Sequence, residues 1–293
     1  MPRFAFLPMI IREKLATRDF PREPEPDLVM ADEEQVRSYS LAGRIDGVMS
    51  AAYLFQSGHV SSVIHGARTV IDLGCGPATQ LVQIAQLNKE SDFIGVDLSP
   101  TMLESARAYV AESGAKNISF RQGDISHLES FGDHSADAII STMTLHHLPT
   151  RDRLDACFRE IKRVLKPGGA VYLTDFGRLK SLSSIITFAY MNAEHQPHLF
   201  SLDYERSLRA AFLFEELSES AREYLPDTVR SYRTFALPLL VILQTPDRLL
   251  PAPVLARLGA LKAALPRKYR RDLGDLRLFF RMGGLSDSFS EIA

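Results

Sequence analysis

The chain reads as an α/β protein built on a doubly wound, mostly parallel sheet, with a helical cap before it and a helical extension after it. Three observations lead there. From Thr69 to Asp175, apolar segments of strand length alternate with amphipathic segments of helix length. A turn with two glycines, Gly74-Cys75-Gly76, joins the first strand directly to a helix. Right-handed crossovers then leave a doubly wound sheet as the simplest topology.

The elements follow in chain order. Phe4–Ile11 is apolar, follows Arg3 and precedes Arg12, Glu13 and Lys14 without a small-residue cleavage site. It is expected to form a packed N-terminal turn, with a surface-docking segment as the alternative. Pro21, Pro24 and Pro26, interleaved with Glu23, Glu25 and Asp27, predict a stiff, solvated linker. Leu28–Phe55 carries apolar residues at roughly helical spacing, weakened at Gly43 and Gly47.

The period then changes. Strands are expected at Thr69–Leu73, Asp92–Val96, Asn117–Arg121, Ala136–Ser141 and Gly169–Asp175. Helices are expected at Pro77–Asn88, from Pro100 to about Ser113 and at Arg151–Leu165, the second capped by Ser99 and stopped by Gly114. Leu165-Lys166-Pro167-Gly168-Gly169 reads as a helix stop and tight turn. Gly177–Arg209 has no clean period and suggests a lid over a site. Ala210–Tyr224 is helical, Val229–Thr234 and Leu237–Gln244 form an antiparallel closing pair, and Pro246–Ala293 is a largely helical extension. The domain organisation is therefore a cap over residues 1–66, a main domain over 67–245 with a lid at 177–209, and an extension over 246–293.

Composition excludes several classes. The 293 residues carry a formal net charge of −2, so no global charge draws the chain to nucleic acid or acidic membranes. Two distant cysteines, Cys75 and Cys157, rule out a disulfide framework and favour a reducing compartment, here the cytoplasm. The longest apolar run, Phe235–Leu243, contains Pro238 and is too short to span a bilayer.

The chemistry lies in the turns after the strands. Glycines in Asp72-Leu73-Gly74-Cys75-Gly76 permit positive φ and close ligand approach, and the helix start favours a negatively charged or carboxylate-bearing group. Alone this is either a nucleoside-cofactor turn or an ordinary strand–helix turn, because Ala78 stands at the third glycine position. Asp97 ends the next strand, where a carboxylate accepts from ribose hydroxyls. Gly123-Asp124-Ile125 follows the third strand, and the loop Thr142–Pro149 after the fourth carries adjacent His146 and His147.

In this order and spacing, the segments across Arg68–Phe176 resemble the class I S-adenosylmethionine (SAM)-dependent methyltransferases. The resemblance implies a seven-stranded, mostly parallel Rossmann-like sheet with its last strand antiparallel, and SAM as cofactor. Asp72, Gly74 and Gly76 would hold its methionine end, Asp97 its ribose, and Asp124 with Ile125 its adenine. Cys75, Leu98, Met102 and Ser141 complete the expected cofactor set. DNA-base methyltransferases typically place Asn/Asp-Pro-Pro-Tyr after the fourth strand, whereas this chain has Ser141-Thr142-Met143-Thr144. The Leu-His-His-Leu-Pro loop at Leu145–Pro149 is similar to that of ubiquinone-biosynthesis C-methyltransferases and natural-product enzymes. Arsenite methyltransferases share such loops but need several acceptor-side cysteines, which this sequence lacks.

The expected activity is methylation of a small molecule in secondary or cofactor metabolism; a protein or peptide methyltransferase and a non-catalytic SAM-binding module are the alternatives. His146, His147 and Asp175 are candidate bases. Tyr39, Arg44, Asn192, His195, His198 and Tyr204 are expected around the acceptor. Pro197 breaks the spacing that would aim His195 and His198, with Glu194, at one ion, so no metal is expected. The partner is a small-molecule acceptor, without nucleic acid or stable membrane insertion. Arg257–Arg281, with eight Lys/Arg against Asp272 and Asp275, reads as a solvated closing helix or a homodimer contact; a membrane-surface face is the alternative.

Overall fold

Alternation along each strand decides how the sheet is covered. In β1 (Thr69–Leu73), Val70 points into one apolar layer while Ile71 and Leu73 point into the other. The same division runs through β4 (Ala136–Thr142), with Ala138 and Ile140 opposite Ile139, and through β5 (Leu165–Phe176), with Tyr172 opposite Val171 and Leu173. A sheet buried on both faces needs helices on both. The computed structural model describes residues 7–26 and 47–286. Within them the sheet has seven strands, completed by β2 (Asp92–Asp97), β3 (Ile118–Gln122), β6 (Arg230–Arg233) and β7 (Leu240–Gln244), in the order β3-β2-β1-β4-β5-β7-β6. The first five strands pair in parallel, while β7 runs antiparallel to both β5 and β6. The expected closing pair is present.

One face is covered by α2 (Ser50–Ile64), α3 (Thr79–Leu87), α4 (Pro100–Ser113), α9 (Ala252–Ala264) and α10 (Arg267–Met282), the other by α5 (Arg151–Val164) and α8 (Phe214–Tyr224). A third cluster caps the carboxyl ends of the strands, built from α1 (Leu7–Leu15), α6 (Leu182–Tyr190) and α7 (His198–Ala210). α2 is buried along nearly its whole length, including Ser57, His59 and Ser61, because the sheet and α3 lie on one side of it and α10 on the other. Phe55 stacks on Phe280 with ring centroids 5.1 Å apart. The C-terminal helices therefore contribute to the main core, with Leu258, Leu273 and Phe280 in one cluster with Val70 and Ile140.

Several expectations change. The first predicted helix continues to Ile64 instead of stopping at Phe55; its Leu28–Asp46 part, with Tyr39 and Arg44, lies outside the described residues. Leu165–Gly169 is no simple turn: β5 starts at Leu165 opposite Ala136 and bulges before Ala170 pairs with Ala138. The lid is helical, and its period is hidden because α6 buries Ser184 beside Ile185 and Phe188. Ala210 ends α7 and does not open the next helix, which begins at Phe214. The proline-rich segment is docked through Arg22 and Glu25, as described below.

α4 follows its sequence signals closely. Ser99 accepts a hydrogen bond from Met102 N at 3.2 Å, Pro100 occupies the first turn, and Gly114 ends the helix at φ +69°. Ser99→Ala removes that cap. We expect a loss of about 1 kcal/mol in unfolding free energy, read as a lower urea midpoint with an unchanged slope.

Candidate active site

One half of the cleft is assembled where β1 and β2 end. After Leu73 the chain turns through Gly74 at φ +72° and Gly76 at φ +51°, and enters α3 through Ala78 at φ +60°. Gly74 N and Cys75 N both donate to Val96 O, at 2.7 and 3.0 Å, which stitches the turn to β2. A Cβ on Gly74 would overlap the Thr144 side chain, whereas at Gly76 it would meet nothing. Thr144 Oγ1 in turn donates to Gly74 O at 3.1 Å. The loop after β4 is thus clasped onto the turn, and Met143 bends it there with the unusual φ of +58°.

Two desolvated carboxyls face this cleft. Burial, reinforced by nearby Asp97, pushes the Asp72 carboxyl up to about 7, and its Oδ1 is buried without a hydrogen-bond partner among the described residues. Burial also raises Asp97, against the hydrogen bonds it accepts from Ser99 N (2.9 Å) and Gly76 N (2.8 Å). Such a pair is relieved by a cationic ligand. The Cys75 thiol, buried beside both, is held well above its usual range. At the far end Asp124 accepts from Ser126 N (2.8 Å) and Ser126 Oγ (2.6 Å) and pairs with Arg153. Burial opposes ionisation of Asp124, but these partners lower its carboxyl overall.

The other half of the cleft is built on two carboxylate–imidazole pairs. Asp175, at the end of β5, accepts from His146 N (2.9 Å), His146 Nδ1 (2.6 Å) and Phe176 N (2.6 Å). This pairing occupies Nδ1 and leaves Nε2 as the second ring nitrogen. Nε2 is buried without a hydrogen-bond partner among the described residues, 3.9 Å from the Glu25 carboxylate Oε1. His147 Nδ1 lies 2.9 Å from Glu25 Oε2, and Ser207 Oγ donates to Glu25 Oε1 at 2.9 Å. Burial alone would raise the Glu25 carboxyl, but His147, His146 and Ser207 hold it down at about 2. Burial depresses the His147 imidazole, yet Glu25, with Asp175 and Asp97 beyond, raises it overall. Phe176 and Tyr204 continue this wall, with ring centroids 5.3 Å apart.

Arg22 fixes this half in place. Its guanidinium donates to Ala210 O (2.7 Å), Pro149 O (2.6 Å), His146 O (3.0 Å) and Leu148 O (2.5 Å), and lies 3.9 Å over the Phe212 ring. The segment read as a solvated linker is therefore a wall of the site. Three donor atoms of Glu25, His146 and His147 also lie within 4.8 Å of one another, the grouping among the described residues with metal-ligand composition. Its carboxylate is already engaged by His147 and Ser207.

The cleft gathers many of the expected residues: Asp72, Gly74, Cys75, Gly76, Asp97, Leu98, Met102, Asp124, Ile125, His146, His147 and Tyr204 all line it. Asp175 lies behind His146. Ser141 does not line the cleft; its buried Oγ donates to Leu73 O at 2.8 Å and ties β4 to β1. Asn192, His195 and His198 also lie outside it: Asn192 and His195 occupy the short connection between α6 and α7, His198 opens α7, and both histidines are exposed. The residues missed are Glu25, Arg22, Arg153, Phe176 and Phe200. Arg153 carried a signal, since it lies in the first turn of the helix that follows the Leu-His-His-Leu-Pro loop.

This strand order, with a glycine turn after β1 and an acid at the end of β2, is the arrangement of a class I SAM-dependent methyltransferase. The chain belongs to the methyltransferase-domain family, which matches residues 64–211. An arsenite methyltransferase of Halobacterium salinarum is 38% identical over 108 residues, 36% of this chain and 27% of that protein. A tRNA (carboxymethyluridine(34)-5-O)-methyltransferase of Arabidopsis thaliana is 31% identical over 118 residues, 40% of this chain and 26% of that protein. The chain thus spans about a quarter of the length of these two relatives. A SAM-dependent methyltransferase from Aquifex aeolicus shares the fold with a TM-score of 0.52 at 16% identity, covering 73% of this chain and 98% of that one. SAM is the cofactor of this class, and the cleft fits it. The orphaned Asp72 oxygen and raised carboxyls suit its cationic end, and Gly76 leaves backbone open to approach.

The Glu25–His147 pair binds the N-terminal arm to the acceptor loop with a defined pH window. The Glu25 share is present above its ordinary 4.5 and lost as pH falls toward 2. The His147 share is present below 6.5 and lost as pH rises through its elevated value. A double-mutant cycle of Glu25→Gln and His147→Asn should give its largest coupling energy between these limits and a smaller one on either side.

Proposed function

We infer that the protein transfers a methyl group from SAM to a small acceptor bearing a hydroxyl or acidic C–H, with His146 as the base. The observation that carries this reading is the Asp175–His146 pair, which holds the ring by Nδ1 and leaves Nε2 without a hydrogen-bond partner among the described residues in the wall of the cleft. Bound at Asp72, Gly74, Gly76, Asp97 and Ile125, the cofactor supplies an electrophilic methyl on a sulfonium. The chain contributes position, desolvation and proton removal. His146 Nε2 takes the acceptor's proton; Asp175 holds the ring by Nδ1, and the Glu25 carboxylate 3.9 Å away favours the resulting imidazolium. The proton then passes to solvent.

The chemistry of the wall supports a small, partly aromatic acceptor. Phe176, Tyr204 and Phe200 offer planar apolar surface, while Arg22 straps the arm across the loop and narrows the approach. A thiophilic acceptor such as arsenite is disfavoured, since Cys75 is held as a neutral thiol and Cys157 is buried in α5. A bulky RNA acceptor would need an open basic groove, and the cleft instead carries Glu25 and Asp203 beside Arg206. Both cysteines are free, in keeping with a reducing, cytoplasmic location.

Calorimetry tests the cofactor half. SAM should bind more tightly as pH rises through about 7, when Asp72 ionises, and Asp72→Asn should flatten that dependence. No SAM binding would sink the reading.

Transfer of labelled methyl into fractionated small molecules tests the rest. With the acceptor so located, His146→Ala should lower kcat by about 10²–10⁴-fold at unchanged SAM affinity. Label confined to macromolecules, or an undiminished kcat, would defeat it.

A further inference from the structure

α1 has two faces of different character. Met9 and Glu13, one turn apart, point inward: Met9 joins a cluster with Phe176, Ile185 and Phe188, and Glu13 accepts from Lys180 N (2.7 Å) and Ser181 N (3.0 Å) at the entry to α6. The helix is thereby fixed in rotation. Leu7, Ile11 and Leu15, also at successive turns, are then left 52%, 50% and 74% exposed. α6, to which α1 is tied, exposes Leu182 (42%) and Ile186 (38%). Five of the eight exposed large hydrophobic side chains among the described residues thus lie on these two packed helices. Scattered apolar residues need no explanation, but a concentration on two helices in contact does.

The charges around this face are mostly basic, with Asp19 beside Arg18 as the exposed exception near α1. Arg12 and Lys14 flank the stripe on α1, and Arg18 and Lys180 are exposed beyond it. The carboxylate within α1, Glu13, is turned inward, and no acidic residue occurs from Gly177 to Ala193. An apolar stripe bordered by lysine and arginine suits a bilayer interface, where the side chains reach to headgroup phosphates while their stems stay apolar. A protein partner would more commonly meet an aromatic anchor in a pocket, and no aromatic residue is among the five.

We propose that the joined face of α1 and α6 seats the protein on an anionic lipid surface. Leu7, Ile11, Leu15, Leu182 and Ile186 enter the interface, with Arg12, Lys14, Arg18 and Lys180 among the headgroups. No helix of the described residues is long and apolar enough to cross a membrane, so the attachment is peripheral and reversible. This surface is independent of the acceptor and of the base assigned above.

Co-sedimentation of the full chain with vesicles tests it. Binding should be clear with mixed phosphatidylcholine–phosphatidylglycerol vesicles, weak with phosphatidylcholine alone, and weakened by salt. Ile11→Ser with Leu15→Ser should lower the partition coefficient at least about tenfold, from the apolar area lost. Arg12→Glu with Lys14→Glu should reduce the anionic preference by about fivefold or more per charge removed. Leu182→Ser with Ile186→Ser provides a second apolar variant should α1 fail to fold. No binding to the mixed vesicles, or equal binding by wild type and all three variants, would overturn the proposal. So would a dimer, seen by sedimentation, that both apolar variants dissolve, since the face would then belong to a second copy.

Discussion

One guanidinium holds the histidine side of this cleft together. Arg22 reaches from the N-terminal arm and donates to carbonyls of His146, Leu148 and Pro149 in the loop after β4, and of Ala210 at the end of α7. Those carbonyls belong to a tight loop and a helix terminus, where backbone acceptors lack partners of their own. By satisfying them together, Arg22 fixes the arm, the loop and the helical cap relative to the sheet. The two imidazoles and Glu25 acquire their geometry from that arrangement. The cost is visible in the guanidinium itself, whose burial, with Arg178 nearby, lowers its pKa to about 10.

The cleft so enclosed is electrostatically divided. Toward β1 and β2, Asp72 and Asp97 are buried with too few donors and resist ionisation. Toward α7, Glu25 is ionised well below its usual range because an imidazole and a hydroxyl meet it directly. A cationic ligand suits the first region. The Gly74–Thr144 contact joins the regions mechanically, since the loop that carries His146 is the one clasped to the glycine turn.

Much of this was legible in the sequence, for local reasons. The glycine turn, the Ser99 cap and the Gly114 stop are short-range signals, and the structure follows them. Strand identities came from apolar segments of strand length, and the doubly wound topology from handedness. Errors arose where burial contradicted local pattern. Leu165–Gly169 has the composition of a turn but forms a bulged strand start, and Ser184 interrupts the period of α6 while being buried. Ser141 looked like a ligand at a strand end, yet its hydroxyl is spent on Leu73 O. Glu25 was out of reach altogether. It sits between prolines, and its partner His147 is 122 positions away. Nor did adjacency distinguish His146 from His147; only the position of Asp175 does so.

The long burial of α2 carries a consequence for how the chain is made. Phe55 stacks on Phe280, so this helix emerges from the ribosome 225 residues before its cover does. At about 5–20 residues per second, an apolar surface waits roughly ten to forty-five seconds for completion. During that interval the sheet can form against one side of α2 while the other stays open to solvent. Nascent chains of this protein should therefore depend on chaperones late in synthesis, and truncation before α10 should produce aggregation before it produces loss of any single catalytic group.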